Sequence, residues 1–365
     1  MTPFHVTTVV WGREFCELFL DVCVPNQMTA GNLGALPAGS RYRVFTSAED
    51  RKFLQSSSAL RAIGDRIPVD IIVEPLLSTS IGTQFTRMTA CHATAIRDAS
   101  ESGAALIFLS PDIVLSEGTL AAVVRSRERG HRAVVCPGLR VDRDAFRAAL
   151  ASRGADPLSS RELVSLALDH LHPFTRAHMI DGVPGARRPI GVYWDVPGDG
   201  ILAHGLYLHP LMVDPSQPGV MPDGTIDQHY LFHACPNRAD VHVASDSDEF
   251  VVFEMSHIDA AVTETGPEPI SAWRAARMLC RCDPHQRTYW VMPLRLHAHD
   301  LGPAWRAVEK EASRFVHRVA ALRRPALWVY VTSRRIRPWT RPVEKLRKRT
   351  ARAGRRVWRR ARTAL

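Results

Sequence analysis

"ALIFLSPDIVLSEGTL", residues 105–120, is the stretch on which the fold turns. It opens with a short apolar run, the pattern of a strand buried on both faces of a sheet. An acidic residue, Asp112, follows at once. Ser116, Glu117 and Gly118 then open a helical pattern that closes at Gly130. Outward from this stretch, strand and helix signals alternate. "HVTTVVWG" (5–12), "RYRVFTS" (41–47) and "PVDIIVEP" (68–75) read as buried strands, and "HRAVVCPGLRV" (131–141) as the next one. "TRMTACHATAIRDASES" (86–102) has helical spacing, with Gly103 placed to end it. Buried strands separated by helices predict an α/β layer fold with a mainly parallel sheet. In such sheets ligands bind outside the carboxyl ends of the strands, which is where Asp112 falls.

The second half is less regular. "LSSRELVSLALDHLHPFTRAHM" (158–179) reads as helix up to Pro173. "GVYWDVPGDGILAHGLYLHPLMVDP" (191–215) has strand character broken by turns. "DVHVASDSDEFVVFEMS" (240–256) reads as a strand pair around an acidic turn. Residues 271–322 mix helices with the strand-like "TYWVMPLRLHAHD" (288–300). No internal repeat is evident. The chain of 365 residues, 45% hydrophobic, is long enough for one large domain with appendages or for two domains. No apolar run reaches the ~20 residues of a membrane-spanning helix, and the start lacks the pattern of a signal peptide. Seven scattered cysteines read as buried free thiols of a reducing compartment. Cys280-x-Cys282 has no second pair nearby to complete a zinc site.

The region around Asp112 resembles the donor site of glycosyltransferases with the GT-A fold. In that family a buried strand ends in Asp-x-Asp or a variant, and a helix follows that starts with a small residue and Gly. "VTTVVWG" stands where the family's first strand meets the nucleotide, and "HATAIRDASESGAALIFLSPD" matches its helix-then-strand approach. The similarity runs in order over residues 5–145, with weaker support to 257. It implies a GT-A-like (Rossmann-like) sheet flanked by helices, to which the chain's own pattern adds a C-terminal helical extension and a basic tail. The implied segments are a transferase domain at 1–265 (donor half 1–145, acceptor half 146–265), an extension at 266–332 and a tail at 333–365. It further implies a nucleotide-sugar donor, a glycan or lipid-linked acceptor, and Mn²⁺ or Mg²⁺ bridging the donor phosphates as a Lewis acid. This chain departs from the motif: Ser110 and Pro111 fill its first two places, so Asp112 alone supplies a carboxylate. Phosphate charge is then left partly to cations and backbone N–H groups. Trp11, Thr46, Arg87, His92, Arg97, Asp112 and Arg140 are the expected donor-binding residues.

A literal Asp-x-Asp occurs later, in "VASDSDEFVVFEMSHID" (243–259). Asp and Ser there suit a tight hairpin turn, because their side chains bond local backbone. The functional alternative is that Asp246 and Asp248 join Asp112 around a cation, with a late histidine as an extra ligand. His257 is the expected one, and His297 and His299 stay open. For the base that deprotonates an acceptor hydroxyl the expectation is Asp227, in "GTIDQHYLFHACP", with Asp195 second. Asp227 also reads as a helix N-cap. Trp194 would stack on a sugar face or pack in the core. Sixteen histidines invite a zinc reading, but "HYLFH" (229–233) lacks the glutamate of H-E-x-x-H. P-loop and nucleophile-elbow motifs do not occur.

The net charge of +10 is concentrated at one end. Residues 333–365 hold 14 Lys+Arg against one Glu, and the remainder has 33 basic against 36 acidic residues. As a helix the tail carries a sparse apolar stripe, the pattern of binding to an anionic membrane surface. A solvated or partner-binding tail and, less favoured, nucleic acid are the alternatives; the resemblance to glycosyltransferases that act on lipid-linked or membrane-bound acceptors is what favours the membrane. The combined expectation is a cytoplasmic enzyme, peripheral on the inner face of the membrane. Its rivals are a non-catalytic nucleotide- or sugar-binding protein of the same fold, and a scaffold acting through its tail.

Overall fold

The computed structural model describes residues 1–154, 156–215, 219–260 and 264–362, with side chains through residue 332. The strands are β1 (Phe4–Val9), β2 (Arg41–Thr46), β3 (Val69–Val73), β4 (Ala105–Phe108), β5 (Ile113–Leu115), β6 (Ala133–Cys136), β7 (Gly138–Asp142), β8 (Gly185–Ala186), β9 (Gly191–Val196), β10 (Gly200–Gly205), β11 (His209–Val213), β12 (Val241–Val243), β13 (Val252–Ser256), β14 (Thr265–Gly266) and β15 (Leu294–His297). Seven of them form the central sheet, in the order β12-β6-β11-β4-β1-β2-β3. All run parallel except β11, which is antiparallel to both of its neighbours. This is the mainly parallel, helix-flanked α/β sheet read from the sequence. β1, β4 and β6 are buried along their whole length, as their apolar runs require.

The helix before β4, Gln84–Ser102, shows how local signals place the site. The Thr83 side chain accepts from the Thr86 N–H to cap its start, and Gly103 ends it in the left-handed region at φ 64°. Its apolar face buries Cys91, Ala95, Ile96 and Ala99 against the sheet. A fully buried Ile of this kind contributes roughly 1.5–3 kcal/mol. The chain then returns through β4 and delivers Ser110 and Asp112 to the carboxyl edge.

The run at 131–141 is two strands rather than one. Pro137 lacks an N–H and breaks the ladder, so β6 stays in the central sheet while β7 leaves to pair with β13. The resulting small sheet has the order β5-β13-β7. The stretch at 240–256 is likewise not a hairpin. β12 joins the central sheet beside β6, and β13 joins the small sheet between β5 and β7. The acidic residues therefore sit in a crossing between two sheets.

A third sheet, β15-β10-β9, carries a second core. Trp194, Leu202, Trp290, Trp305, Phe315 and Val319 meet there. The extension at 266–332 thus shares its core with β9 and β10. Within 288–300, the first residues are helical (Pro284–Val291) and only Leu294–His297 are strand. All seven cysteines are buried and free. Among the described residues no helix is long and apolar enough to cross a membrane. The last helix spans Pro303–Arg362, and the side chains of the basic tail, 333–365, lie outside those described.

Candidate functional site

The small sheet assembles a charged cluster at the carboxyl edge. Asp112 immediately precedes β5, and its carbonyl accepts the Met255 N–H at 2.8 Å. Ile113 is paired with Glu254 on β13, and Glu254 with Arg140 on β7. The β13–β7 register sets Glu254 and Arg140 side by side, and Asp112, at the turn before β5, lies close enough to both to feel their charge. Arg140 Nε lies 3.0 Å from a Glu254 oxygen, and its guanidinium stacks 4.6 Å over the Phe174 ring. Asp112 Oδ1 is closed off from solvent and has no hydrogen-bond partner. Burial pushes the Asp112 carboxyl well above the usual carboxylate range, Glu254 adds to the rise, and Arg140 opposes it.

Histidines surround this cluster. His209 opens β11 and donates from Nε2 to the Phe108 carbonyl at 3.0 Å. Burial lowers its pKa, while that hydrogen bond, Asp227 and Glu254 work against the fall. Asp227 and Glu254 are thus both near enough to act on the charge of His209. His92 packs edge-on against Phe108 at 5.2 Å. Burial, with His209 beside it, lowers the His92 pKa to about 4, so it is neutral at physiological pH. His178 is buried; its Nδ1 donates to the Phe174 carbonyl at 2.8 Å and its Nε2 has no partner. Its pKa is also lowered to about 4, chiefly by burial, with a contribution from Arg140.

Asp227 lies in the first turn of a π-helical turn, Ile226–Tyr230, which Thr225 precedes as the N-cap residue. Asp227 is thus not the N-cap. It lines a small cavity with Asp283, His285 and Gln286.

The remaining expected residues divide. Trp11 follows β1 at the edge, with the Arg87 guanidinium 5.5 Å from its ring, and Arg87 also donates to the Thr79 carbonyl at 2.7 Å. Thr46 ends β2 with its hydroxyl buried and unpartnered. Arg97 is exposed, about 20 Å along its helix from Gln84. That distance takes it toward the opposite edge of the sheet, away from Asp112. Asp195 is exposed on β9; burial and then Asp181 raise its pKa, and Arg176 opposes them. Trp194 is only 2% exposed, with His204 and Phe315 packed edge-on at 5.6 and 5.7 Å. It is a core residue, and its faces are not open to a sugar.

Asp112, Asp246, Asp248 and His257 are not brought around one cation. The histidine that joins the acidic crossing is His297 on β15. One atom each from Asp246, Asp248 and His297 falls within 4.8 Å of the others. His297 donates from Nδ1 to the His299 carbonyl at 2.6 Å and turns Nε2 to Asp246 at 2.9 Å. A nitrogen and two carboxylates suit a Mn²⁺-like ion by donor type. Arg161, however, grips both oxygens of Asp248, at 2.8 and 2.9 Å. β12 is also three sheet positions from β4, about 14 Å. His257 lies beyond β13, where its carbonyl accepts from His172 Nε2 at 2.9 Å.

Sequence reasoning did not single out Glu254, His209 or His178. For Glu254 a signal exists: it is the one acid within the apolar run "FVVFEMS", where an uncompensated carboxylate is costly. The two histidines carry no local signal.

The sequence matches no protein-family model and no curated protein. Among solved structures, S. aureus TarS 1–349 aligns over 87% of this chain and 70% of that one, at 10% identity and a TM-score of 0.36. A further S. aureus TarS structure aligns over 39% of this chain and 22% of that one, at 11% identity and a TM-score of 0.26. Mouse xyloside xylosyltransferase 1 aligns over 42% of this chain and 59% of that one, at 8% identity and a TM-score of 0.27. The chain thus spans under a quarter of the longer TarS chain. Likenesses at these scores carry no functional argument. The class rests on the sheet and its edge: an α/β protein with a partly buried charged cluster where β4 ends and the small sheet begins.

Proposed function

We propose that this protein is a glycosyltransferase that moves a sugar from a nucleotide-sugar to a glycan or lipid-linked acceptor. The observation that carries the reading is the cluster of Asp112, just past the end of β4, with Glu254 and Arg140 on the adjoining small sheet, and with Asp227 near enough to act on the charge of the neighbouring His209. An acid with one buried, unpartnered oxygen beside a second carboxylate is strained by like charge. A divalent cation relieves that strain, and two carboxylates are suitable donors for Mn²⁺ or Mg²⁺. Such a cation, when bound, offsets the charge that gathers on the leaving diphosphate. Arg140 contributes a fixed positive charge to the same task. Trp11, Thr46 and Arg87, at the ends of β1 and β2 and beside them, hold the nucleotide. Asp227 accepts the proton of the acceptor hydroxyl as its oxygen attacks the anomeric carbon and the bond to the diphosphate breaks. The reaction belongs at a cytoplasmic membrane face, where lipid-linked acceptors are reached.

Thermal-shift measurements with UDP-, GDP- and CMP-sugars, each with and without Mn²⁺, test this. One nucleotide class raises the melting temperature, and Mn²⁺ enlarges the gain in the parent but not in Asp112→Asn. The transferase reading fails if no nucleotide stabilises the protein. Stabilisation without sugar transfer or donor hydrolysis favours a non-catalytic binding protein, the reading that Ser110 in place of a motif acid supports.

A further inference from the structure

We infer that the outer face of the helix beginning at Pro303 docks on an anionic lipid surface through an apolar patch at Leu327, Trp328 and Val331. The inner face of this helix is spent on the second core: Trp305, Ala312, Phe315, Val316 and Val319 are buried there. The opposite face carries Lys310, Arg314, His317, Arg324, Trp328 and Val331, at spacings that return to one side of an α-helix. All six are exposed. The face begins basic and ends apolar. Leu327 is 42% exposed, Trp328 70% and Val331 41%. An ordinary solvent face has no reason to end in Trp, Leu and Val within one turn.

Charge selects the occupant. No acidic residue occurs between Glu311 and Glu344, while arginines stand on both sides of the patch in the sequence. A partner must therefore offer negative charge and hydrocarbon together. A nucleic-acid backbone offers the first without the second. A second copy of the helix would set arginines against arginines. An anionic bilayer offers both: headgroups for the arginines and the interfacial zone for Trp328. The surface lies on this chain's own helix and does not depend on the transferase reading.

Co-sedimentation of the full chain with vesicles of phosphatidylcholine, with and without phosphatidylglycerol, tests the inference. The parent pellets with the anionic vesicles only. Trp328→Ser with Val331→Ser, all arginines kept, lowers that retention by about tenfold. Both positions are exposed, so thermal melting of the variant matches the parent. Equal retention of parent and variant overturns the proposal, as does a parent that anionic vesicles do not retain. Duplex DNA that retains parent and variant alike, with no vesicle binding, assigns the face to nucleic acid instead. A parent dimer that the variant dissolves, again with no vesicle binding, assigns it to a second copy.

Discussion

Asp112 concentrates the cost and the use of this site in one side chain. Its folded-state pKa lies above the ordinary 3.8. The folded protein therefore holds a proton that the unfolded chain releases, and stability falls as pH climbs from about 4 through the raised value. Asp112→Asn removes that penalty. The variant is expected to melt higher than the parent at neutral pH, by about 2–4 °C, and the gap closes as pH falls toward 4. Under the proposed function the same change is expected to abolish Mn²⁺-dependent donor binding, so that stability and function move in opposite directions. Asp227→Asn separates the two halves of the proposed chemistry. Donor-induced thermal shifts remain, while the rate of sugar transfer falls by roughly 10²- to 10⁴-fold. Of these two residues, the sequence placed Asp112 by strand position and not by motif match, since the literal Asp-x-Asp at 246–248 lies elsewhere. Glu254 stayed hidden because its meeting with Asp112 depends on a pairing between β5 and β13 that no local pattern encodes.

Elements were legible where burial is uniform and were misread where strands change sheets. β1 to β4 follow directly from apolar runs and their flanking turn residues. The split of 131–141 at Pro137 and the crossing at 244–251 were not legible as such, because a run of β-branched residues looks the same whether it continues a sheet or leaves it. The third sheet makes a sharper demand on its sequence. A Cβ at Gly200 would stand 2.0 Å from the Leu296 carbonyl oxygen and 2.9 Å from the Trp305 ring. Gly200→Ala must then part β10 from β15 or displace the last helix. We expect a loss of about 1–3 kcal/mol in urea denaturation, with donor binding reduced only in proportion to the unfolded fraction.

For the molecule as a whole, the two cores set what can be removed. Among the residues whose side chains are described, neither core uses one beyond Ala326, and residues 333–365 follow it. When 333–365 are deleted, the melting temperature is expected to stay within about 2 °C of the parent. Deleting everything from Pro303 onward strips Trp305, Ala312, Phe315, Val316 and Val319 from the second core. That product is expected to aggregate on expression, as judged by the insoluble fraction. The near-neutral body and the strongly basic end were evident from composition. That the last helix belongs to the body up to Ala326 was not, because its inner face is matched to β9 and to the helix Ala272–Leu279 only in three dimensions.

The Asp112–Glu254 pair joins residues 142 positions apart in the chain. Closing so long a loop is slow and is rewarded only after β13 has slotted between β5 and β7. A growing chain still short of Glu254 holds the carboxyl edge of β1, β2 and β4 but only half of the acidic pair. Under the proposed function, competence would therefore arrive late in synthesis, and a ribosome-tethered fragment ending near residue 240 is expected to be folded in part and inert.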